Sequence, residues 1–474
     1  MKKLSRDGYT ILKSDFTSKE IKTIKDDLTA KPYTMDDFSN GKEKKFYLYL
    51  ESPKKLYLPR FYGLKRFGKP DIDKISNGET IDINFKGGLR EEQIPIFDVS
   101  YEQIMDTGGG IVSLKCGGGK TVLALYILSQ IRMKTLVVVH KDFLMTQWYD
   151  RIGEFIPDAK IGKIQQDTID IEGKDIVLAM VQSLSMKEYS EDTFESFGLV
   201  IFDECHHLGA EVFSKCMAKV QSKYMLGLSA TPNRKDGLRK VFEWYIGDIA
   251  YMTKDTKDDN AIVNIIKYYD DDQKYSKVET IFNGKACVPK MINNICNYVP
   301  RTDLIIQQLL PLYKEGRCIL VLSDRRNHLS DIEKILMKHD IECGYYVGGM
   351  KPQALRDAQE KNVILGTFSM ASEGMDIPKL NTMILASPKS DIVQSVGRIL
   401  RQKKETRKFT PLIIDIDDEF GTFKNQSKKR LAYYNKCKYD ITIYDLDGTN
   451  YKYTKSNRKQ KKENKIENIE ECLI

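Results

Sequence analysis

The sequence predicts an α/β protein with two parallel-sheet domains in tandem, and the evidence is a repeated pattern. Between Gly110 and Ile416, short apolar runs rich in β-branched residues alternate with stretches of helical periodicity. Runs that are apolar on both faces are typical of strands in a parallel sheet whose crossover helices cover both sides. The runs fall into two sets, so we expect two such sheets. The first set comprises residues 111–114, 135–139, 175–180, 199–202 and 225–228, and the second comprises 318–322, 344–347, 362–366, 382–386 and 412–416.

The other stretches differ in composition and suggest domain boundaries. Residues 1–85 mix short strand-like runs with Pro, Gly and charge, which indicates a small separate N-terminal module. We assign residues 86–252 and 301–423 to the two sheet domains. Residues 253–300 begin with a stretch rich in Asp, Lys and Tyr, which predicts a linker or insertion. Residues 424–474 form a basic C-terminal extension, because 424–465 hold 13 Lys or Arg against 4 Asp or Glu. The extension either adds electrostatic affinity for nucleic acid or is a solvated tail.

Composition narrows the possible partners. The net charge of +8 over 474 residues is a mild excess, which permits nucleic acid as a partner without requiring it. The longest apolar runs are far below the roughly 20 residues that cross a bilayer, and no apolar stretch follows Met1, so we expect neither a membrane span nor a signal peptide. The nine cysteines include no C-x-x-C pair, which disfavours structural zinc and a disulfide framework.

A glycine-rich segment follows the first predicted strand and precedes a helix-periodic stretch. It comprises Gly117, Gly118, Gly119, Lys120 and Thr121. Backbone N–H groups can surround a phosphate only where side chains do not obstruct them, which explains the glycines. Lys120 is expected to reach the β- and γ-phosphates of a nucleotide, and the Thr121 hydroxyl to bind Mg²⁺. Leu114 stands where the general G-x-x-x-x-G-K-[ST] pattern has its first Gly. A flexible glycine turn with an incidental Lys is the alternative.

Two adjacent acids, Asp203 and Glu204, follow the predicted strand 199–202. An Asp at the end of a buried strand is suited to hold Mg²⁺, and a neighbouring Glu to polarise the attacking water. Together with the phosphate loop, the pair predicts an ATP-hydrolysing site. Cys205 and His206 come next and offer metal ligation as an alternative, but no further His or Cys cluster follows at zinc-ligand spacing.

Four motifs in this order resemble those of the superfamily 2 helicases. They are the phosphate loop, Asp203-Glu204-Cys205-His206, Ser229-Ala230-Thr231-Pro232, and residues 394–401, which read Gln-Ser-Val-Gly-Arg-Ile-Leu-Arg. Leu114 replaces the Ala that begins the family's loop, A-x-x-G-x-G-K-T. Residues 89–93 and 230–237 resemble the XPB-like branch of the superfamily. Residues 56–64 are similar to the transcript-release helicases of poxviruses and related large DNA viruses.

The resemblance implies two RecA-like domains that bind ATP, together with Mg²⁺, in the cleft between them. It implies that Arg90 and Gln93 recognise adenine and that Gln394 contacts the same nucleotide. Arg398 and Arg401 would be arginine fingers, and their i, i+3 spacing places them on one helix face. Surface ion pairing is the alternative for these arginines.

Nucleic-acid contacts are expected at the carboxyl ends of the strands, where open α/β sheets bind their ligands. The family binds the sugar-phosphate backbone there, and each such loop also has a purely structural interpretation. Asp376 is expected to contact either the ribose of ATP or the nucleic acid. By the same resemblance, Ser229 and Thr231 would couple the nucleotide to the nucleic acid. The residues predicted to bind nucleic acid are Gln182, Ser183, Thr367 and Gly374.

These features predict an ATP-driven helicase or translocase. The XPB-like details favour DNA over RNA, and the viral resemblance implies a role in transcription with a viral RNA polymerase as partner. We expect a monomer in the cytoplasm or viral factory of an infected cell, with packaging in the virion as an alternative. An RNA helicase is the alternative enzyme, and a nucleic-acid-binding scaffold without turnover is the alternative of another class.

Overall fold

The computed structural model describes residues 1–31, 45–115, 117–204, 210–217, 219–230, 239–253, 260–282, 284–373, 375, 377–402, 406–445 and 450–452. The chain divides into two compact units, Met1–Lys254 and Asp255–Ile474. Each unit contains an eight-stranded, mainly parallel sheet. The predicted α/β fold with two parallel-sheet domains is therefore confirmed.

The first unit begins with a five-stranded sheet of order β5-β6-β2-β1-β7. Helix α1 starts with a capping box in which the Thr17 hydroxyl accepts from the Glu20 N–H and the Glu20 carboxylate accepts from the Thr17 N–H, a pairing that satisfies two free donors. The elements of this region are β1 (Lys3–Ser5), β2 (Gly8–Leu12), α1 (Ser18–Asp27), β3 (Thr29–Ala30), β4 (Phe46–Tyr47), β5 (Leu50–Glu51), β6 (Lys55–Leu58), α2 (Arg60–Phe67) and β7 (Ile72–Asp73).

The main sheet of the first unit has the order β11-β10-β12-β9-β13-β14-β8-β15, and only the β10–β11 pair is antiparallel. Its strands are β8 (Gly109–Ser113), β9 (Thr135–Val139), β10 (Ile161–Gln165), β11 (Thr168–Asp170), β12 (Ile176–Met180), β13 (Leu199–Phe202), β14 (Tyr224–Ser229) and β15 (Ile249–Met252). Its helices are α3 (Ile94–Thr107), α4 (Lys120–Ile131), α5 (Asp142–Phe155), α6 (Val181–Met186), α7 (Ala210–Met217) and α8 (Arg239–Ile246).

Both faces of this sheet are buried, as the sequence pattern predicts. Along β9, Leu136 and Val138 belong to one apolar cluster, whereas Val137 and Val139 belong to another. Successive side chains of a strand point to opposite faces, so the two clusters are the cores above and below the sheet. The strand ends that carry the candidate site are therefore supported by apolar packing on both faces of the sheet.

The N-terminal sheet packs on the first unit's main sheet, which differs from the separate module that we predict for residues 1–85. Tyr9 and Phe61 lie in the same core cluster as Phe202 of the main sheet. The buried Arg60 guanidinium donates to the carbonyls of Ser222 and Lys223, both at 2.9 Å. Composition alone did not indicate this shared core, because the apolar residues of the N-terminal region are spread over short strands.

The second unit is built on a sheet of order β18-β19-β17-β20-β21-β16-β22-β23, in which only the β22–β23 pair is antiparallel. Its strands are β16 (Ile262–Tyr268), β17 (Ile319–Leu322), β18 (Cys343–Tyr346), β19 (Val363–Gly366), β20 (Thr382–Leu385), β21 (Leu412–Asp418), β22 (Asp440–Tyr444) and β23 (Asn450–Lys452). Its helices are α9 (Gln273–Ser276), α10 (Val288–Asn297), α11 (Val299–Lys314), α12 (Arg326–Met337), α13 (Pro352–Glu360), α14 (Phe368–Glu373), α15 (Val393–Ile399) and α16 (Phe423–Cys437).

The predicted linker at 253–300 contains a strand of this second sheet. Strand β16 pairs with both β21 and β22, and its Val263 and Ile265 are buried. The surrounding Asp, Lys and Tyr residues dilute the apolar signal of this strand, so the composition of the whole stretch suggests a linker. Helix α10 also lies within the predicted linker, and α11 begins at Val299, close to the predicted start of the second domain at residue 301.

The basic C-terminal extension is partly integral to the second unit. Arg430 of α16 forms a fully buried ion pair with Asp415 of β21 at 2.8 Å, and the Tyr434 hydroxyl donates to the same carboxylate at 2.8 Å. Lys424, Lys428 and Lys429 on the same helix are exposed. One helix thus combines a buried anchor with a basic outer surface. In the part of the chain that the structure describes, no helix is long and apolar enough to span a membrane.

Candidate active site

The phosphate loop joins β8 to α4 in the first unit. Gly117 and Gly119 adopt φ angles of +80° and +73°, which L side chains rarely adopt. A Cβ atom on Gly119 would lie 2.5 Å from the Gln93 amide nitrogen. The Gly118 N–H donates to the Lys115 carbonyl at 3.0 Å. The glycines are therefore required by backbone conformation and by close packing, as well as by the space that a phosphate needs.

Gln93 contacts this loop directly. It is buried, and its amide nitrogen donates to the carbonyls of Gly118 and Gly119 at 3.3 and 3.2 Å. Its amide oxygen accepts from the Arg90 N–H at 3.2 Å. The segment predicted to recognise adenine is thus hydrogen-bonded to the segment predicted to bind phosphate. The family resemblance implies that Gln93 lies near the nucleotide, but the sequence does not reveal these hydrogen bonds.

Lys120 and Glu204 meet although 84 residues separate them in sequence. The Lys120 ammonium lies 2.8 Å from Glu204 Oε1, and about a tenth of each side chain is exposed. Lys120 begins α4, and Glu204 follows β13 with a φ of +47°. Thr121 is half-buried beside Lys120 on the first turn of α4. The structure thus brings the predicted loop residues to the predicted acids at one edge of the sheet.

Asp203 is held from two sides. Its Oδ1 accepts from the Glu204 N–H at 2.9 Å, and its Oδ2 accepts from the Trp148 indole N–H at 2.8 Å. Burial, followed by the neighbouring Glu204 charge, raises the pKa of Asp203 to about 6. Sequence reasoning did not find Trp148, because its position on α5 next to Leu144 and Ile152 indicates only an apolar helix face.

An oxygen donor set suits Mg²⁺, which is commonly held by one or two carboxylates, substrate phosphates and water. The Asp203 carboxylate and the Thr121 hydroxyl fit that chemistry. Among the described residues, no cluster of three or more His, Cys, Asp or Glu side chains could hold a metal alone. Cys205 and His206, for which we weigh metal ligation, lie outside the described residues.

Ser229 ends β14 beside the phosphate loop. Its carbonyl accepts from the Leu114 N–H at 3.0 Å, and its side chain is buried. This bond connects the strand that carries the Ser-Ala-Thr motif to the start of the loop. Thr231 lies outside the described residues.

The predicted nucleic-acid residues of the first unit lie on helix α6 rather than in a loop. Gln182 is exposed, and its amide donates to the His140 carbonyl at 2.9 Å. Ser183 is buried, and its hydroxyl accepts from the Gln166 N–H at 3.0 Å. Gln182 is therefore accessible to a ligand, whereas the Ser183 hydroxyl is hydrogen-bonded within the fold.

In the second unit, Arg398 makes contacts within the fold, and its role as an arginine finger stays a prediction. It is buried, and its guanidinium donates to the carbonyls of Ala371, Ser372 and Met375. Its charge and fork geometry are thus used to hold one backbone segment.

Arg401 departs from the predicted helix face, whereas Gln394 lies on the same helix as Arg398. Helix α15 ends at Ile399, so Arg401 lies past its end and does not share a regular helix face with Arg398. Gln394 is half-buried on the first turn of α15. Thr367 is half-buried, with its hydroxyl 3.4 Å from that of Ser369. Gly374 and Asp376 lie outside the described residues.

Comparison with known proteins identifies the class that this fold and site define. Residues 86–234 match the family model "Type III restriction enzyme, res subunit", and residues 301–403 match "Helicase conserved C-terminal domain". A fragment structure of a type I restriction enzyme HsdR subunit from Vibrio vulnificus YJ016 has a similar fold, with a TM-score of 0.54 at 18% identity over 78% of this chain and 71% of that one. These matches define a helicase core.

Sequence relatives show to which helicases this chain is related. It is 38% identical over 485 residues to "Putative ATP-dependent RNA helicase L396" of Acanthamoeba polyphaga mimivirus, covering 100% of this chain and 91% of the relative. It is 26% identical to "Putative ATP-dependent RNA helicase QP509L" of African swine fever virus (strain Badajoz 1971 Vero-adapted), covering 74% of this chain and 75% of the relative. The chain belongs to the superfamily 2 helicases and is related to those of large DNA viruses. The predicted ATP-hydrolysing helicase is confirmed.

Proposed function

We propose that this helicase moves along DNA and acts in viral transcription, where it releases transcripts or remodels the elongation complex beside a viral RNA polymerase. DNA is supported by residues 89–93 and 230–237, which resemble the XPB-like branch. Transcript release is supported by residues 56–64, which are similar to the transcript-release helicases of poxviruses and related large DNA viruses. Arg60 of this segment anchors the N-terminal region on the first sheet domain. We further propose that the protein acts as a monomer in the cytoplasm or viral factory.

The ion pair of Lys120 and Glu204 is the observation that carries the hydrolytic step. A phosphate entering the loop competes with Glu204 for the Lys120 ammonium. Binding of the nucleotide would therefore release the Glu204 carboxylate, which can then accept a proton from the attacking water. In this account the base becomes available only when the substrate occupies the loop.

The remaining site residues have supporting roles. Thr121 and Asp203 would hold Mg²⁺, which, when bound, neutralises charge on the phosphate oxygens. Arg90 and Gln93 would contact adenine, and Arg401 would stabilise the transferred phosphate. The other proposed contacts are Gln394 and Asp376 to the nucleotide, Ser229 and Thr231 in coupling, and Gln182, Thr367 and Gly374 to nucleic acid.

ATPase stimulation by nucleic acids tests the choice of substrate. The full chain is assayed with single-stranded DNA, duplex DNA and RNA of matched sequence, and the Glu204→Gln variant reports contaminating activity. We expect DNA to raise turnover more than RNA at equal nucleotide concentration. Stimulation by RNA alone would contradict the proposal.

An RNA helicase is the second candidate function. The observation that favours it is the names of the relatives, since both proteins cited above are named as RNA helicases. The same assay separates the two candidates, because each predicts a different stimulating strand.

A further inference from the structure

The buried indole of Trp148 lies at the proposed Mg²⁺ site. Its side chain is 1% exposed, and its N–H donates to Asp203 Oδ2 at 2.8 Å. The partners are 55 residues apart in sequence. The Glu204 N–H binds the other oxygen of Asp203 at 2.9 Å. One donor on each oxygen fixes both the position of the carboxylate and the orientation of its plane.

The ring and the N–H of Trp148 serve different purposes. The ring belongs to the core cluster that also contains Leu144 and Ile152, and a Phe side chain would fill much of the same space. The indole N–H needs a partner when it is buried, and here that partner is a carboxylate at the site. A Phe at this position could pack in the core without making this bond.

We propose that Trp148 is a positioning residue that orients Asp203 toward the Mg²⁺–nucleotide complex. The inference rests on the proposed role of Asp203 as a Mg²⁺ ligand. A carboxylate has about four lone-pair sites, so the two protein donors leave lone pairs for a bound water or metal. Groups that orient a metal ligand from behind typically change metal affinity by about 10–100-fold when they are removed.

The Trp148→Phe variant tests the role of the N–H. Binding of the β,γ-imido analogue of ATP is measured in the full chain as a function of Mg²⁺ concentration and again in EDTA. We expect the Mg²⁺ concentration for half-maximal binding to rise about ten-fold, while binding in EDTA stays unchanged. An Ile152→Val variant, which alters the same core without touching Asp203, should retain the wild-type Mg²⁺ requirement. An unchanged Mg²⁺ requirement in Trp148→Phe would overturn the proposal.

A spectroscopic measurement that retains Trp148 does not depend on whether the Trp148→Phe variant folds. The chain has two tryptophans, so Trp244→Phe leaves Trp148 as the sole indole. Adding Mg²⁺ to this protein with the ATP analogue bound should change the Trp148 emission, and an Asp203→Asn substitution should remove the change. A Trp148 emission that does not respond to Mg²⁺ would also overturn the inference. If the wild-type chain bound the analogue identically with and without Mg²⁺, the proposed function would fail instead.

Discussion

The Lys120 ammonium and Glu204 Oε1 lie 2.8 Å apart at the carboxyl edge of the first sheet. Lys120 is the residue that should bind phosphate, and Glu204 is the one that should activate water. Each side chain neutralises the charge of the other, and we propose that a bound phosphate competes with Glu204 for Lys120. From this ion pair we expect substitutions of the two side chains to have opposite effects on ATP binding.

The first prediction contrasts Lys120→Ala with Glu204→Gln. Lys120→Ala should weaken ATP binding, because the positive charge that attracts the β- and γ-phosphates is lost. Glu204→Gln should bind ATP at least as tightly as the wild type, because the ion pair between Lys120 and the Glu204 carboxylate is lost. Its turnover should fall by about 10²–10⁴, the usual contribution of a general base. Equilibrium binding of a fluorescent ATP analogue and steady-state turnover measure both effects, and near-normal turnover in Glu204→Gln would exclude this role.

The second prediction separates Arg398 from Arg401. Arg398→Ala should lower the stability of the second unit by about 3 kcal/mol, because three backbone carbonyls lose a charged donor. Arg401→Ala should reduce turnover by about 10³–10⁵, as for an arginine finger. Urea unfolding and ATPase assays distinguish the pair. An Arg398→Ala variant as stable as the wild type would show that the contacts of Arg398 are not structural.

The third prediction concerns the attachment of the N-terminal sheet. Arg60→Ala should destabilise the first unit by about 3 kcal/mol, because the carbonyls of Ser222 and Lys223 lose their buried donor. Arg60→Lys retains the charge without the planar fork and should recover only part of this loss. Limited proteolysis should cut the N-terminal region faster in both variants. Unchanged proteolysis in Arg60→Ala would argue against this anchor.

The fourth prediction is a pH effect on stability. Burial, with a smaller contribution from the Arg301 charge, lowers the pKa of His328 to about 3. The unfolded chain protonates His328 near its ordinary pKa of about 6.5, so it binds more protons than the folded chain between these values and stability falls on acidification. His328→Gln should remove about 2 kcal/mol of the stability loss between about pH 6.5 and 5. Unfolding curves of both proteins across this range provide the measurement, and parallel pH dependences would contradict it.

Buried strands were the most predictable part of the fold. Every run assigned as a strand from 111–114 to 412–416 overlaps an observed strand, because burial on both faces requires a continuous apolar run. Strand β16 was missed because Asn264 and Lys267 interrupt its apolar residues. The phosphate loop and the acid pair were located from sequence because glycines and adjacent carboxylates have few other uses at strand ends.

Contacts between distant residues were not predictable from the motifs. Nothing near Trp148 in the sequence indicates that its indole meets Asp203, since the path of the chain between them decides that contact. Arg398 belongs to a motif that suggests a phosphate contact, yet the local backbone at 371–375 supplies its partners. A motif specifies the residue types at a site, whereas the folded backbone determines which atoms they meet.

Displacement of streptavidin from biotinylated DNA tests the central claim that hydrolysis at the Lys120–Glu204 site drives movement along DNA. With ATP, the wild-type chain should displace streptavidin from single-stranded or duplex DNA, whereas Glu204→Gln should bind ATP and DNA without displacing it. Equal displacement by Glu204→Gln, or displacement from RNA but never from DNA, would contradict the account.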